Sequence, residues 1–106
     1  MNKLMIGWTM VPTKEVGREI AQGLLKERLV ASVHIEGPVT SLFYWNDELE
    51  QAEEFRLSIK FSAGKEKEIE EWIKRNHPYE LPQWITVEID HVSKEYKLWA
   101  TKVGVK

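Results

Sequence analysis

Hydrophobic and polar residues follow two different rhythms along this chain, one typical of strands and one typical of helices. From Glu54 to Phe61 they alternate without exception, which predicts a strand with one buried face. Lys3 to Val11 is almost continuously apolar, which favours a central strand covered on both faces. Leu29 to Ile35 and Val39 to Trp45 also have strand composition, and could form one long strand bent at the Gly37-Pro38 pair. A fourth strand is predicted over Trp84 to His91, where Ile85, Val87 and Ile89 alternate with polar residues.

Three segments have the spacing of helices. The first is predicted over residues 13–28, beginning at Thr13, and the second over 65–77, ended by Pro78, which disfavours helical geometry in the residue before it. A short last helix is capped by Ser93. Its predicted apolar side consists of Tyr96, Trp99, Ala100 and Val103.

The predicted order is strand, helix, strand, strand, helix, strand and an extra helix. This order is typical of an α+β fold, the ferredoxin-like βαββαβ sandwich. Right-handed crossovers would place both main helices on one face of an antiparallel sheet. Without repeats or linkers, residues 1–106 are expected to form one domain.

Charge and motifs exclude several classes of function. Lys and Arg number 15 against 17 Asp and Glu, with both signs interleaved, so we expect neither a nucleic-acid partner nor a membrane surface. There is no Cys, no glycine-rich phosphate-binding motif and no GxSxG segment, so an enzyme is not expected. The apolar run Leu4 to Val11 is too short to span a bilayer, and we expect a cytoplasmic protein.

Histidine is the remaining candidate metal ligand. His34, His77 and His91 are too far apart for a local metal motif, so a site would have to be assembled in space. His77 is the best candidate because it ends a helix beside a Pro-rich loop. The alternative is that His77 caps the carboxyl end of that helix, where imidazolium is favoured.

The aromatic content is high for 12.5 kDa, with five Trp, three Tyr and three Phe. A domain of this size cannot bury all of them in its own core. We therefore expect several to lie at subunit contacts, the alternative being scattered surface aromatics.

Four motifs in chain order resemble the CutA divalent-cation tolerance family. They are the segment Gly37 to Trp45 followed by Leu49 and Glu54, then Lys60, then His77 to Pro82, and finally His91 with Tyr96 and Trp99. The resemblance implies a ferredoxin-like subunit in a PII-like homotrimer, whose long hairpins extend the sheets of neighbouring subunits. It also implies an intersubunit cleft or interface, for which the matching candidates are Tyr44, Trp45, Glu54, Lys60, Tyr79, Tyr96 and Trp99.

At three positions relevant to metal binding, this chain has a different residue from the one that is common in the family. Trp8 and Ser32 stand where family members commonly have Cys, and Asn76 stands in place of the first His of a His-His pair. With His77 as the one remaining candidate ligand, oxygen donors would complete any site, so we expect weak binding of Cu(II) or another divalent cation and no tight Cu(I) binding.

The resemblance leads to a function and an alternative. The leading hypothesis is a non-enzymatic homotrimer involved in the response to divalent cations. The alternative is a PII-like signalling trimer that binds a small anionic ligand or a partner protein between subunits, with Arg56, Lys60 and Tyr79 as lining.

Overall fold

The structure, a computed structural model, describes residues 3–102. The strands are β1 (Leu4–Val11), β2 (Ser32–Trp45), β3 (Glu48–Ser62) and β4 (Ile85–Glu88). The helices are α1 (Lys14–Lys26), α2 (Glu66–Asn76) and α3 (Lys94–Thr101), with a short 3-10 turn at Ala63–Lys65 before α2. Within this range the element order is the predicted one. No helix of residues 3–102 combines the length and apolar character that crossing a membrane requires.

The four described strands form one sheet in the order β2-β3-β1-β4, and every neighbouring pair is antiparallel. The two segments between residues 29 and 45 do form one long bent strand. However, it begins at Ser32, three residues later than predicted, and β4 is half as long as the predicted 84–91 segment. The helices begin and end within two residues of the predicted limits, and the predicted position Val103 lies outside the described residues.

The core lies between the sheet and the two main helices. β3 contributes Leu57, Ile59 and Phe61, all fully buried, which confirms the face predicted from their alternation. α1 and α2 pack on that same face through Leu24 and Ile73. α3 packs on the opposite face, where Ala100 meets Leu4 and Ala31.

The bend in β2 has a local cause. Glu36 pairs with Arg56 and Val39 pairs with Glu54, so two residues of β2 stand opposite one residue of β3. Gly37 has a φ of +149°, and a side chain there would collide with the ring of Phe55, so only glycine fits. The bend redirects β2 and β3 as they leave the sheet.

Beyond the bend, residues 39–54 form what we call the projecting hairpin. β1 pairs with β3 only from Ser62 back to Phe55, so within the part of the chain that the structure describes the two strands of the hairpin pair only with each other. The molecule is consequently elongated, with principal extents of 45 × 26 × 21 Å.

Candidate functional site

A cluster of three residues, Glu54, His77 and Tyr79, lies where the projecting hairpin leaves the sheet. We call it the loop cluster. The Tyr79 hydroxyl donates a 2.6 Å hydrogen bond to Oε2 of Glu54, whose side chain is almost buried, with 7% of the residue exposed. A hydroxyl bonded to a carboxylate at this distance is a strong, charge-assisted contact. The loop after α2 is thereby attached to the base of the hairpin.

His77 fixes the other side of this loop. It occupies the C-cap position of α2, as the sequence alternative expected. Its imidazole, however, bonds elsewhere: Nε2 lies 2.8 Å from the carbonyl oxygen of Met10, and Nδ1 accepts a 3.1 Å hydrogen bond from the Tyr79 N–H. Because a carbonyl can only accept, Nε2 must carry the proton, and the ring is held as one tautomer.

The protonation of the loop cluster follows from its burial. Loss of solvent lowers the pKa of His77, although the Met10 carbonyl and the nearby Glu54 carboxylate oppose this shift. Burial, and then the bond to Glu54, raise the pKa of Tyr79. At neutral pH the cluster therefore holds a neutral imidazole and a protonated phenol, which is the state that its hydrogen bonds require.

The same geometry limits what His77 can do with a metal. A metal ion binds a nitrogen lone pair, and in this tautomer the only lone pair, on Nδ1, already accepts the Tyr79 N–H. Among residues 3–102, no group of three or more His, Cys, Asp or Glu side chains is placed to hold a metal ion. Metal coordination by His77 stays a prediction, and it would require the contact with Tyr79 to break.

A second polar cluster, which the sequence did not reveal, lies on the sheet face opposite α1 and α2. We call it the outer-face cluster. Oε1 of Glu36 accepts hydrogen bonds from Arg56 Nε and from the Ser58 hydroxyl, both at 2.8 Å. Ser58 in turn accepts a 3.1 Å bond from the Trp8 indole N–H, and the Arg56 guanidinium lies 5.8 Å from the Trp8 ring centroid. The bonds from Arg56 and Ser58 lower the pKa of Glu36.

The remaining predicted site residues lie at three separate places in the fold, away from the loop cluster. Lys60 is six residues from Glu54 along β3, a distance of about 20 Å for an extended strand. Tyr44 and Trp45 lie at the tip of the projecting hairpin. Tyr96 and Trp99 are on α3, with ring centroids 5.5 Å apart. Of the predicted residues, the structure brings Glu54, Tyr79 and His77 together in the loop cluster and pairs Tyr96 with Trp99 on α3.

Comparison with known protein families and proteins finds relatives of this chain. The family model for the CutA1 divalent ion tolerance protein matches residues 5–103. The divalent-cation tolerance protein CutA of Thermus thermophilus is 35% identical over 84% of this chain and 86% of its own.

Comparison with solved structures finds the same family. The Cut A1 structure from Thermus thermophilus superposes with a TM-score of 0.90 at 31% identity, covering 93% of this chain and 96% of that one. A protein described as the periplasmic divalent cation tolerance protein CutA of Archaeoglobus fulgidus gives 0.92 at 29% identity, covering 95% and 98%. With the family model matched across nearly all of the described sheet and helices, this chain belongs to the CutA1 divalent ion tolerance family.

Proposed function

We propose that this chain is the ferredoxin-like subunit of a PII-like homotrimer that takes part in the response to divalent cations. One observation supports the assembly: the projecting hairpin exposes five large hydrophobic side chains that residues 3–102 leave uncovered. These are Leu42, Phe43, Tyr44, Trp45 and Leu49. Phe43 and Trp45 lie on one face of the hairpin and the other three on the opposite face, so both faces expose apolar surface, which is typical of a protein interface.

Further apolar exposure lies on the outer face of the sheet. Ile85 and Val87 of β4 are 56% and 49% exposed, although their alternation with polar residues is typical of a buried strand face. They stand beside Trp8 and Ile6 of β1, which share that face. Together with the hairpin, these residues give each subunit two separate surfaces for neighbouring subunits to cover.

The assembly is tested by the mass of the purified chain in solution. We expect light scattering to give three chains per particle at micromolar concentration, a mass near three times 12.5 kDa. A stable monomer or dimer at that concentration would contradict the proposal. Repeating the measurement over a hundredfold dilution separates a tight trimer from a weak association.

For the cation response, we propose weak binding of Cu(II) or another divalent ion at His77. The half-buried ring and the occupied Nδ1 support weak rather than tight binding, because the ion must displace the Tyr79 N–H. Calorimetric titration with Cu(II) and with Zn(II) tests this. We expect His77→Ala to abolish the heat of binding and His91→Ala, at an exposed histidine, to preserve it. Equal binding by all three proteins would remove His77 from the site.

The signalling alternative has a specific structural requirement. Because Lys60 lies six residues along β3 from Glu54, to which Tyr79 bonds, the two side chains are about 20 Å apart, and a small-ligand cleft lined by both would need two subunits. The non-enzymatic character and the cytoplasmic location stay predictions. The Archaeoglobus fulgidus relative is described as periplasmic, so fractionation of cells producing this protein is the direct test of location.

A further inference from the structure

A cavity lies where the end of α1 meets α2, on the helix side of the sheet. We call it the helix pocket. Its volume is about 330 Å³, near the lower end of the range of about 300–1,000 Å³ that is typical of small-molecule sites. Trp72 and the buried Leu29 form the apolar part of its lining. The rest of the lining is charged and consists of Glu27, Arg28, Lys65, Glu68, Glu71 and Arg75.

Trp72 is held in place by the close approach of the two helices. A side chain at Gly23 would collide with the ring of Trp72, so α1 reaches the indole as closely as only glycine allows. The indole is half-buried and lines the helix pocket. An indole that is fixed on one side and accessible on another can bind a cationic group.

The charges of the helix pocket are unevenly distributed along α2. Within one turn of Trp72 lie two carboxylates, those of Glu68 and Glu71, and one guanidinium, that of Arg75. Lys65 is seven residues before Trp72, about 10 Å along the helix axis. The pocket is therefore acidic beside the indole and basic at the start of α2. None of its six charged groups forms an ion pair within residues 3–102, so all six can pair with a ligand.

Arg28 adds a second cation to the basic end. α1 and α2 run antiparallel, so the residues that follow α1 lie towards Lys65. The N–H groups of Arg28 and Leu29 close α1 by bonding to the carbonyls of Leu25 and Leu24, at 3.0 and 3.1 Å. In this closure the position of Arg28 is usually glycine, because its φ, here +58°, is left-handed. Closure of the helix thus does not explain an arginine at this position.

We propose that the helix pocket binds a free amino acid that carries a distal guanidinium group. Its carboxylate pairs with Arg28 and Lys65, and its guanidinium lies against Trp72 between Glu68 and Glu71. A ligand of one sign would meet like charge at one end of the pocket, whereas this zwitterion meets opposite charge at both. A guanidinium stacks on aromatic rings and bonds to carboxylates through two parallel N–H groups, which fits the indole and its two acidic neighbours.

The inference goes beyond the response to divalent cations and does not rest on the homotrimer. The exposed hydrophobic residues that support the assembly lie on the projecting hairpin and on the outer face of the sheet. The helix pocket lies on the other face, which each subunit builds from its own α1 and α2.

Calorimetric titration of the purified chain tests the ligand class. The probes are L-arginine, agmatine, which lacks the carboxylate, and L-citrulline, in which an uncharged group replaces the guanidinium. We expect L-arginine to bind and each of the other two to bind at least about tenfold more weakly. In nitrogen-15 NMR spectra, L-arginine should shift the indole N–H resonance of Trp72, which is assigned by its loss in Trp72→Phe.

Arg28→Gly tests the site with little risk to folding. Glycine suits the left-handed backbone, so the melting temperature should stay the same or rise, while the affinity for L-arginine should fall at least about tenfold. Glu68→Gln/Glu71→Gln should weaken binding to a similar extent. The control Lys67→Gln, at an exposed residue of α2 outside the pocket, should bind L-arginine as the wild type does.

Three outcomes would overturn the site. The first is no heat of binding with L-arginine and no shift of the Trp72 resonance. The second is equal affinity for L-arginine and either analogue, which would indicate attraction of a single charge. The third is unchanged affinity in Arg28→Gly. A monomeric wild-type protein that binds L-arginine would overturn the homotrimer and leave the site standing.

Discussion

The two halves of β3 differ in how far the rest of the chain pairs with them and covers their side chains. From Phe55 to Ser62 the strand lies between two others, and its hydrophobic side chains are sealed under α1 and α2. From Glu48 to Glu54 it pairs, among the described strands, with β2 alone, and Leu49 is 64% exposed. One subunit therefore completes the first half by itself. In the proposed homotrimer a neighbouring subunit covers the hydrophobic residues of the second half, so the stability of that half should depend on protein concentration while that of the first half should not.

The largest effect is expected in the sealed half. Phe61 is fully buried, and its ring packs against that of Trp84 with centroids 5.8 Å apart. Phe61→Ala should lower the free energy of unfolding by about 3–5 kcal/mol, through lost burial and the cavity left behind. Urea unfolding at fixed protein concentration measures it, with Leu81→Ala at an exposed site as the control. Similar losses in both variants would show that the sealed half is not the stability core.

The next effect concerns the hairpin tip. Trp45 has no place in the core of its own subunit, so Trp45→Ala should weaken assembly by about 2 kcal/mol or more and leave subunit folding almost unchanged. The measurement is the trimer mass on serial dilution. A lowered melting temperature with an unchanged mass would instead identify Trp45 as an ordinary stabilising residue.

A smaller effect is expected at the boundary between the halves. Tyr79→Phe removes the hydroxyl that bonds to the nearly buried Glu54 carboxylate and leaves that oxygen without its donor. The expected loss is about 1–2 kcal/mol in the free energy of unfolding. Tyr44→Phe, at an exposed ring on the hairpin, is the matched control and should change little. Equal changes in the two variants would show that the Glu54 bond does not stabilise the boundary.

The smallest effect is a pH dependence from the outer-face cluster. Arg56 and Ser58 lower the folded-state pKa of Glu36 below its ordinary 4.5, so its stabilising contribution is complete above that value and is lost as pH falls below it. Because the Arg56–Glu36 pair is almost half exposed, the contribution should be under about 1 kcal/mol. Stability measured between pH 6 and pH 3 should fall slightly less in Glu36→Gln than in the wild type. Parallel curves would contradict this assignment.

The sequence predicted the elements because each is specified locally. Thr13, whose hydroxyl accepts the Val16 N–H, marks the start of α1, and Pro78 marks the end of α2. The alternation of β3 likewise gave its buried face. By contrast, the alternation in β4 predicts a buried face that one subunit leaves exposed at Ile85 and Val87. A repeating pattern of hydrophobic residues indicates that a face will be covered, but it does not indicate which chain covers that face.

The candidate site was less predictable because its contacts join distant parts of the chain. His77 and Met10 are 67 residues apart, so no spacing rule could link the imidazole to that carbonyl. Glu54 appeared to share a solvated face with Arg56, yet Tyr79 covers it. The outer-face cluster depends on cross-strand register between β1, β2 and β3, which the Gly37-Pro38 bend shifts.

The projecting hairpin is acidic, with five carboxylates and no Lys or Arg between residues 39 and 54, and this charge matters during biosynthesis. In the proposed homotrimer, a newly made subunit exposes two long strands with free edges and hydrophobic side chains before it meets another copy, and such edges are templates for aggregation. Five like charges on each hairpin make two hairpins repel when they approach side by side. The carboxylates beside the exposed hydrophobic residues of the hairpin thus help to keep the unassembled chain from forming fibrils.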